Sequence, residues 1–90
     1  MVTVRVPVAL LQYTRNESEL RIDAYTVEEL LRNLDMRFPG FRAFIVDEGG
    51  RLRRYVSIFV EEEDIRSGDG LMTKLKEGDR VSIVPIVAGG

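Results

Sequence analysis

The sequence predicts an α+β fold, in which a mixed sheet of four to five strands is packed on one face by one main helix. Apolar residues alternate with other residues at period two near both ends of the chain, and one segment between them has helical period. The segments follow the order strand, strand, helix, strand, short helix, strand. One sheet satisfies this order if the first and last strands are adjacent and parallel in its middle, with a right-handed crossover.

The first two strands are predicted to form an antiparallel hairpin. In the first strand four valines alternate with other residues and should face the core: Val2, Val4, Val6 and Val8. Leu20, Ile22 and Ala24 alternate in the same way in the second strand. Polar residues 14–18 lie between the strands and predict a long, mobile loop.

The main helix follows the hairpin. Thr26 and Glu29 have the spacing of a capping box, and Pro39-Gly40 ends the helical pattern. The apolar residues of one helical face are Val27, Leu30, Leu31, Leu34 and Phe38. Residues 41–50 fit either a short helical turn or a strand, and the sequence leaves this segment unassigned.

The third and last strands complete the sheet. Residues 53–60 alternate, with Val56, Ile58 and Val60 directed inward and Tyr55, Ser57 and Phe59 on the opposite face. A Gly-rich loop, a short helical turn with Leu71 and Leu75, and the acidic turn 77–79 lead into the last strand, 81–84. Arranged in one sheet, these elements give the β-grasp, or ubiquitin-like, architecture.

Composition and charge indicate one folded, soluble domain. The 90 residues are 44% hydrophobic and 31% charged, which is typical of a folded chain. No apolar run approaches the length of about 20 residues that crosses a bilayer, and the start of the chain does not resemble a signal peptide. We therefore expect a cytoplasmic protein. Because the net charge of -2 provides no basic field that would draw the chain onto nucleic acid or anionic lipid, we expect no nucleic-acid and no membrane partner.

The chain has neither histidine nor cysteine. A thiol nucleophile, an imidazole base, a disulfide and an ordinary zinc site are therefore excluded. The four acids at 61–64 are the place where a carboxylate pair could act as acid and base. Since catalytic carboxylates need burial or a partner to separate their pKa values, we interpret these acids as surface residues. The sequence predicts a protein that is not an enzyme and that binds no metal and no cofactor of its own.

The C-terminal half resembles the ubiquitin-like sulfur carriers of the MoaD/ThiS family, and most closely the mycobacterial carriers of cysteine biosynthesis. The acidic turn 77–79, the strand 81–84, Pro85 and the ending Val87-Ala88-Gly89-Gly90 carry the resemblance. The order of elements agrees over the whole chain. The resemblance therefore implies a β-grasp domain at residues 1–86 and a flexible tail at residues 87–90 that ends in Gly-Gly.

The terminal glycines suit a tail that enters the active site of another protein, because residues without a Cβ atom need the least width and allow the widest choice of φ and ψ. In the family that the chain resembles, an E1-like enzyme uses ATP to adenylate the last carboxylate, and sulfur then displaces AMP to leave a thiocarboxylate. The resemblance implies that Gly90 is the reactive residue and that ATP is used by the activating partner. Val87, Ala88 and Gly89 would thread the channel.

The resemblance also implies two kinds of partner. One is an E1-like adenylating and sulfurtransferase enzyme, and the other is a sulfur-accepting enzyme, either cysteine synthase-like or the large subunit of molybdopterin synthase. Cysteine is the predicted product, and the sequence leaves thiamine, molybdopterin and thiolated tRNA open. The alternatives are the small subunit of molybdopterin synthase, a ubiquitin-like modifier joined through Gly90 to lysines, and a plain interaction domain.

Apolar residues on the water-facing side of the sheet predict a partner-binding surface. Pro7, Phe59 and Val84 should lie there, close to the exit of the tail, where they have no role in folding. Ile65, just beyond the third strand, resembles part of the enzyme-binding patch of the molybdopterin synthase small subunit. We expect these residues to bind the activating enzyme, with the acids at 61–64 as a polar rim.

Overall fold

In a computed structural model that describes residues 1–86, five strands form one mixed sheet against which the long helix packs. The strands are β1 (Val2–Arg5), β2 (Glu19–Ile22), β3 (Val56–Val60), β4 (Glu63–Asp64) and β5 (Arg80–Pro85). The α-helices are α1 (Val27–Arg37) and α2 (Phe41–Ile45), and short 3₁₀-helices cover Val8–Tyr13, Ile65–Ser67 and Gly70–Met72.

The strand order across the sheet is β2-β1-β5-β3-β4. β1 and β5 are parallel neighbours, with Val4 opposite Val81, and the other neighbouring pairs are antiparallel. The predicted β-grasp fold, with the first and last strands adjacent and parallel in the middle, is confirmed. The strand that leads to the C-terminal residues is therefore the central strand, hydrogen bonded on both sides.

Helix α1 covers one face of the sheet, as its period predicts. Thr26 caps the helix, since its hydroxyl oxygen accepts a hydrogen bond from the Glu29 amide at 3.1 Å. The Glu29 carboxylate accepts from the Tyr25 amide instead of the Thr26 amide, so the capping box is shifted by one residue. All five predicted apolar residues are buried: Val27, Leu30, Leu31, Leu34 and Phe38. This face forms the core together with the inward side chains of β1, β3 and β5.

The connection between β1 and β2 differs from its prediction. β1 ends at Arg5, and beyond Pro7 the chain enters the 3₁₀-helix Val8–Tyr13. Val8 is 85% exposed, so its predicted place in the core is wrong. Thr14 is buried, and its hydroxyl donates to the Glu17 carbonyl oxygen at 2.8 Å. The connection is long, as expected, but it contains a 3₁₀-helix followed by turns that are closed by hydrogen bonds, rather than an irregular polar loop alone.

The unassigned segment 41–50 contains α2 and a tight turn. Gly40, at φ +97°, lets the chain reverse after α1, and Phe41 and Ile45 of α2 are buried. Asp47 closes the turn that follows, since its Oδ1 atom accepts from the Gly49 and Arg51 amides at 2.9 and 3.0 Å. These bonds fix the path into β3.

The segment before β5 is stabilised by turns and caps. The predicted single helical turn is two 3₁₀-helices, Ile65–Ser67 and Gly70–Met72, and Leu75 is buried beyond them. The acidic turn is confirmed: Gly78 has φ +87°, and the Asp79 amide donates to the Lys76 carbonyl oxygen at 3.0 Å. This turn sets the start of the central strand.

Candidate functional site

The end of β5 is the part of the described chain closest in sequence to the predicted reactive tail. β5 pairs with β3 in antiparallel register, which places Val84 opposite Ser57 and Pro85 opposite Val56. The Ile86 amide then donates to the Tyr55 carbonyl oxygen at 2.6 Å. This bond holds the last described residue against β3. The predicted tail residues Val87, Ala88, Gly89 and Gly90 lie outside the described residues.

The pairing of the last strand does not end at Pro85, although a proline has no amide donor and would be expected from the sequence to end regular pairing. The Arg80 carbonyl oxygen accepts from the Glu61 amide, and the Ile86 amide donates to the Tyr55 carbonyl oxygen, at the two residues that flank β3. Since hydrogen-bonded positions alternate along the pair, Pro85 is not one of the residues that bond this side. The nitrogen of Pro85 faces the side of β1, and β1 has already ended at Arg5, opposite Ser82. The missing donor therefore costs no hydrogen bond, and the pairing continues to Ile86.

The open face of the sheet, opposite α1, carries three of the four predicted partner-binding residues. Val84 lies at its centre and is 40% exposed. Phe59 is half-buried and lies opposite Ser82, diagonally next to Val84. Pro7 is also half-buried, and extension of the β1–β5 register places it level with Val84. The structure thus brings Pro7, Phe59 and Val84 together beside the end of β5.

Ile65 does not belong to this surface. Its side chain is 2% exposed and is part of the core cluster, so the expectation that it offers an exposed contact to a partner is wrong. Asp64 caps the 3₁₀-helix Ile65–Ser67 by accepting from the Arg66 amide at 2.9 Å, and this turn directs Ile65 inward. Ile65 acts in the fold, beneath the open face.

The acids at 61–64 are on the surface, as interpreted from the sequence. Glu61, Glu62 and Glu63 are exposed, and they border an open groove of about 590 Å³ together with Asp69, Asp79, Lys74 and Lys76. Glu61 bonds Arg80, four residues before Val84, which is about 13 Å along the strand. Asp64 flanks Phe59. The predicted acidic rim therefore borders Phe59 but lies at the opposite end of the sheet from Ile86.

The structure adds residues that were not assigned to the partner-binding surface from the sequence, although Tyr55 was placed on the correct face. Tyr55 and Ile86 are large, exposed and paired, and both continue the alternation of the open face. Their position on the open face could have been predicted from this alternation. The position of Arg66 could not, because no sequence pattern indicates it. The Arg66 Nη2 atom donates to the Arg53 carbonyl oxygen at 2.6 Å, and its Nη1 atom donates to the Ser57 hydroxyl at 3.4 Å. The Arg66 side chain explains why Ser57, on the water-facing side, is only 7% exposed.

Two properties bear on the class of protein. Among residues 1–86, no cluster of three or more acidic, histidine or cysteine side chains is arranged to hold a metal ion. Within the same range, every helix is too short or too polar to cross a membrane. What distinguishes this part of the molecule is an exposed apolar surface at the end of its central strand.

Comparison with known families covers nearly the whole chain, because the model of the ThiS family matches residues 4–90. The chain belongs to the ThiS family. Members of this family are small ubiquitin-like sulfur carriers rather than enzymes, and so is this chain. The match includes the C-terminal residues that follow β5.

Relatives support the same conclusion for this ThiS-family protein. The sulfur carrier protein CysO of Mycobacterium tuberculosis is 34% identical over 91 aligned residues, which cover 99% of this chain and 98% of CysO. The crystal structure of the Amycolatopsis orientalis BexX/CysO complex contains a chain with 36% identity and a TM-score of 0.94, and each chain is covered at 100%. Small archaeal modifier protein 3 of Haloferax volcanii is 32% identical over 68 residues, 76% of this chain and 73% of that protein.

Proposed function

We propose that this ThiS-family protein is a sulfur carrier whose C-terminal Gly90 is adenylated by an E1-like enzyme and converted to a thiocarboxylate. The observation that carries the proposal is the similarity to CysO over 99% of the chain, together with a family match that runs to residue 90. A carrier of this kind works as a cosubstrate, so its only reacting group is the terminal carboxylate.

Two steps form the thiocarboxylate. A carboxylate oxygen of Gly90 attacks the α-phosphorus of ATP and pyrophosphate leaves, which gives an acyl adenylate. Sulfide then attacks the acyl carbon and AMP departs with the bridging oxygen, so one oxygen of Gly90 is replaced by sulfur. ATP and sulfide are supplied by the activating enzyme and its sulfur source. The carrier supplies the carboxylate and a surface that binds the enzyme.

The chain around Gly90 suits this chemistry. Gly89 and Gly90 have no Cβ atom, and Val87 and Ala88 have short side chains, so the segment needs little width in a channel. Ile86 is held by the Tyr55 carbonyl oxygen at the end of the central strand. Because Ile86 is fixed to the sheet, the residues that follow it start from a defined position, which lowers the conformational entropy cost of their entry into a partner.

We further propose that the sulfide is delivered to cysteine biosynthesis, through a cysteine synthase-like acceptor enzyme. Support comes from the names of relatives that match over the whole chain: the Mycobacterium tuberculosis relative is named sulfur carrier protein CysO, and the Amycolatopsis orientalis complex also contains a CysO chain. In this transfer the thiocarboxylate sulfur attacks an electrophilic carbon of the acceptor substrate, a leaving group departs from that carbon, and a thioester links the substrate to Gly90. Water then cleaves the thioester, which leaves the sulfur on the substrate as a thiol and restores the Gly90 carboxylate.

The direct test is conversion of the Gly90 carboxylate of the purified protein to a thiocarboxylate. The full chain is incubated with its cognate E1-like enzyme, ATP and sulfide, and intact-protein mass spectrometry should show one oxygen of the protein exchanged for sulfur. A chain without Gly90 serves as the matched control and should keep its mass. An unchanged mass of the wild type, with an enzyme shown to be active in ATP–pyrophosphate exchange, would exclude this function.

A protein modifier is the second candidate, and the similarity to small archaeal modifier protein 3 favours it. In that case the activated Gly90 carbonyl carbon would form an amide bond with a lysine amino group of a target, with loss of AMP. Immunoblots of cell extracts should then show a ladder of conjugates that disappears when Gly90 is deleted. Thiocarboxylate formation without any ladder would favour the carrier.

A further inference from the structure

Arginine side chains border the point at which the described chain leaves the sheet. Arg53 and Arg54 directly precede Tyr55, whose carbonyl oxygen holds the amide of Ile86. Arg66 reaches the same place from the 3₁₀-helix Ile65–Ser67, and its Nη2 atom donates to the Arg53 carbonyl oxygen at 2.6 Å. The Arg53 side chain itself is bonded elsewhere, since its Nε atom donates to the Ala43 carbonyl oxygen of α2 at 3.0 Å. We refer to Arg54 and Arg66 as the basic collar.

Within residues 1–86, the positive charges of the basic collar have no carboxylate at ion-pair distance. The ion pairs within 4.0 Å in this part of the chain join other groups, and none of them includes a collar arginine. Arg54 is exposed, and its side chain has no hydrogen bond within this part of the chain. Such guanidinium groups are well suited to bind a carboxylate in a bidentate manner.

The collar borders an exposed apolar patch. Tyr55, Val84 and Ile86 all lie on the open face next to it, and each of them is at least 40% exposed. Protein interfaces commonly have an apolar centre, enriched in aromatic residues and arginine, with a polar rim around it. On this molecule the rim beside Ile86 is basic, because the acids at 61–64 lie at the opposite end of the sheet.

We propose that the basic collar binds carboxylate groups that surround the entrance of the activating enzyme's tail channel. This inference rests on the proposed function and specifies the chemistry of the partner: an apolar socket for Tyr55, Val84 and Ile86, with an acidic edge facing the collar. Opposite charges at such an edge increase the rate of encounter and fix orientation more than they add affinity. A partner with a basic edge at this position would be repelled.

The rest of the molecule favours a protein partner over a nucleic acid. The net charge of the chain is -2, and the other end of the same sheet carries the exposed acids Glu61, Glu62 and Glu63. A phosphate backbone that extended from the collar along the sheet would meet these carboxylates, and affinity for nucleic acid depends mainly on neutralised phosphates. A compact acidic edge on a protein can contact the collar without coming close to these acids.

Charge reversal at Arg54 tests the inference, because Arg54 is exposed and its side chain makes no hydrogen bond or ion pair with residues 1–86. The readout is the rate at which the cognate enzyme, with ATP and sulfide, converts Gly90 to a thiocarboxylate. For Arg54→Glu we expect kcat/KM to fall about tenfold at low salt, while kcat at saturating carrier is unchanged. At about 1 M salt, where the Debye length is about 3 Å, the wild type should approach the variant.

Matched variants complete the experiment. Arg21→Glu makes the same charge reversal on the edge strand β2 and should leave kcat/KM unchanged. Arg66→Gln should lower kcat/KM in the same direction as Arg54→Glu, and its thermal unfolding is compared with that of the wild type because Arg66 also bonds Arg53.

The outcomes separate the inference from the function on which it rests. Unchanged kcat/KM for Arg54→Glu, an equal loss for Arg21→Glu, or a loss that persists at high salt would overturn the role of the collar while the carrier function stands. No conversion of the wild type would overturn both. Weaker binding of Arg54→Glu than of the wild type to a single-stranded RNA, with unchanged activation, would overturn the protein-binding role and assign the collar to nucleic acid.

Discussion

Val84 occupies the centre of the open face, opposite Ser57 and diagonal to Phe59. An aspartate at this position would place a charge where a partner's apolar surface has to close over it. We expect Val84→Asp to raise the Kd for the activating enzyme by more than tenfold, or about 1.4 kcal/mol and more, with little change in folding stability. Phe59→Ala should act in the same direction. Titration calorimetry with the purified enzyme measures both.

The control for Val84→Asp makes the same substitution on the other side of the molecule. Met36 is an exposed apolar residue of α1, so Met36→Asp adds a charge to a surface that faces away from the open face. It should leave the Kd unchanged. Wild-type affinity of Val84→Asp and Phe59→Ala together would show that the enzyme binds elsewhere.

Ile65 provides the contrast at the same scale, since its side chain lies in the core rather than on the surface. Truncation of a buried isoleucine to alanine removes apolar contacts and leaves a cavity, so Ile65→Ala should cost about 2–5 kcal/mol of unfolding free energy and Ile65→Val about 1 kcal/mol. Urea unfolding measures both. Unchanged stability of Ile65→Ala combined with weaker enzyme binding would restore the partner-binding role that the sequence suggested.

The turn between α2 and β3 couples its stability to pH through Asp47. The hydrogen bond from the Arg51 amide is the main cause that lowers the pKa of Asp47 from 3.8; the Gly49 amide and the charges of Arg53 and Arg51 act in the same direction, and desolvation opposes them. Because the pKa is lower in the folded state, ionised Asp47 contributes stability above its unfolded value of about 4. This contribution is lost as the pH falls through the folded pKa.

We therefore expect Asp47→Asn to be less stable than the wild type at neutral pH, with a difference that shrinks as the pH falls below about 4. Urea unfolding at a series of pH values measures the difference. Glu48→Gln is the matched control, because Glu48 is an exposed neighbour that accepts no hydrogen bond in the described part of the chain. A difference for Asp47→Asn that stays constant down to pH 3 would contradict the role of the ionised carboxylate.

The elements that the sequence predicted are those in which local pattern and tertiary packing agree. In α1 the cap at Thr26 and the apolar period describe the same helix, and in β5 the alternation continues through the whole strand. The prediction of β1 was wrong at the C-terminal end of the strand, because the valine alternation continues through Val8 while the chain turns away after Pro7. α2 has only five residues and is stabilised by burial of Phe41 and Ile45, which a local pattern does not contain.

The residues of the candidate site also fall into a group whose position could be predicted from the sequence and a group whose position could not. Val84 and Phe59 follow from strand alternation, so their place on the open face was predictable. Ile65 was not, since a 3₁₀-turn after the two-residue strand β4 decides its direction. Arg54 and Arg66 are close in space only after two loops have folded, and no spacing in the sequence indicates that pair.

Within residues 1–86, charged side chains lie at both ends of β5. The basic collar lies at the end where β5 leaves the sheet, and the exposed acids 61–63, with Lys74 and Lys76 beside them, lie at the end where β5 begins. A charge asymmetry of this kind orients a carrier during its approach to a charged partner, because the field of the whole protein acts before contact is made. The net charge of -2 conceals this arrangement, which appears only when the residues are placed on the fold.

The core of the molecule and its proposed reactive end occupy separate parts of the chain. Within residues 1–86, the core cluster extends from Val2 to Ile83, and no member follows Ile83. Removal of Gly89 and Gly90 should therefore change the unfolding free energy by less than about 0.5 kcal/mol, the usual range for changes away from the core. The same deletion should abolish thiocarboxylate formation, because a tail that is two residues shorter does not bring its terminal carboxylate into the active site of the enzyme.

A second variant separates the length of the tail from its width. Replacement of Gly89 and Gly90 by alanines keeps the length and adds two Cβ atoms, so stability should again be unchanged while conversion slows because the added methyl groups obstruct a narrow channel. Urea unfolding and intact-protein mass spectrometry are applied to both variants. Wild-type conversion of the alanine variant would mean that the glycines are not selected for width, and a loss of stability in the deletion would mean that the last two residues contribute to the fold.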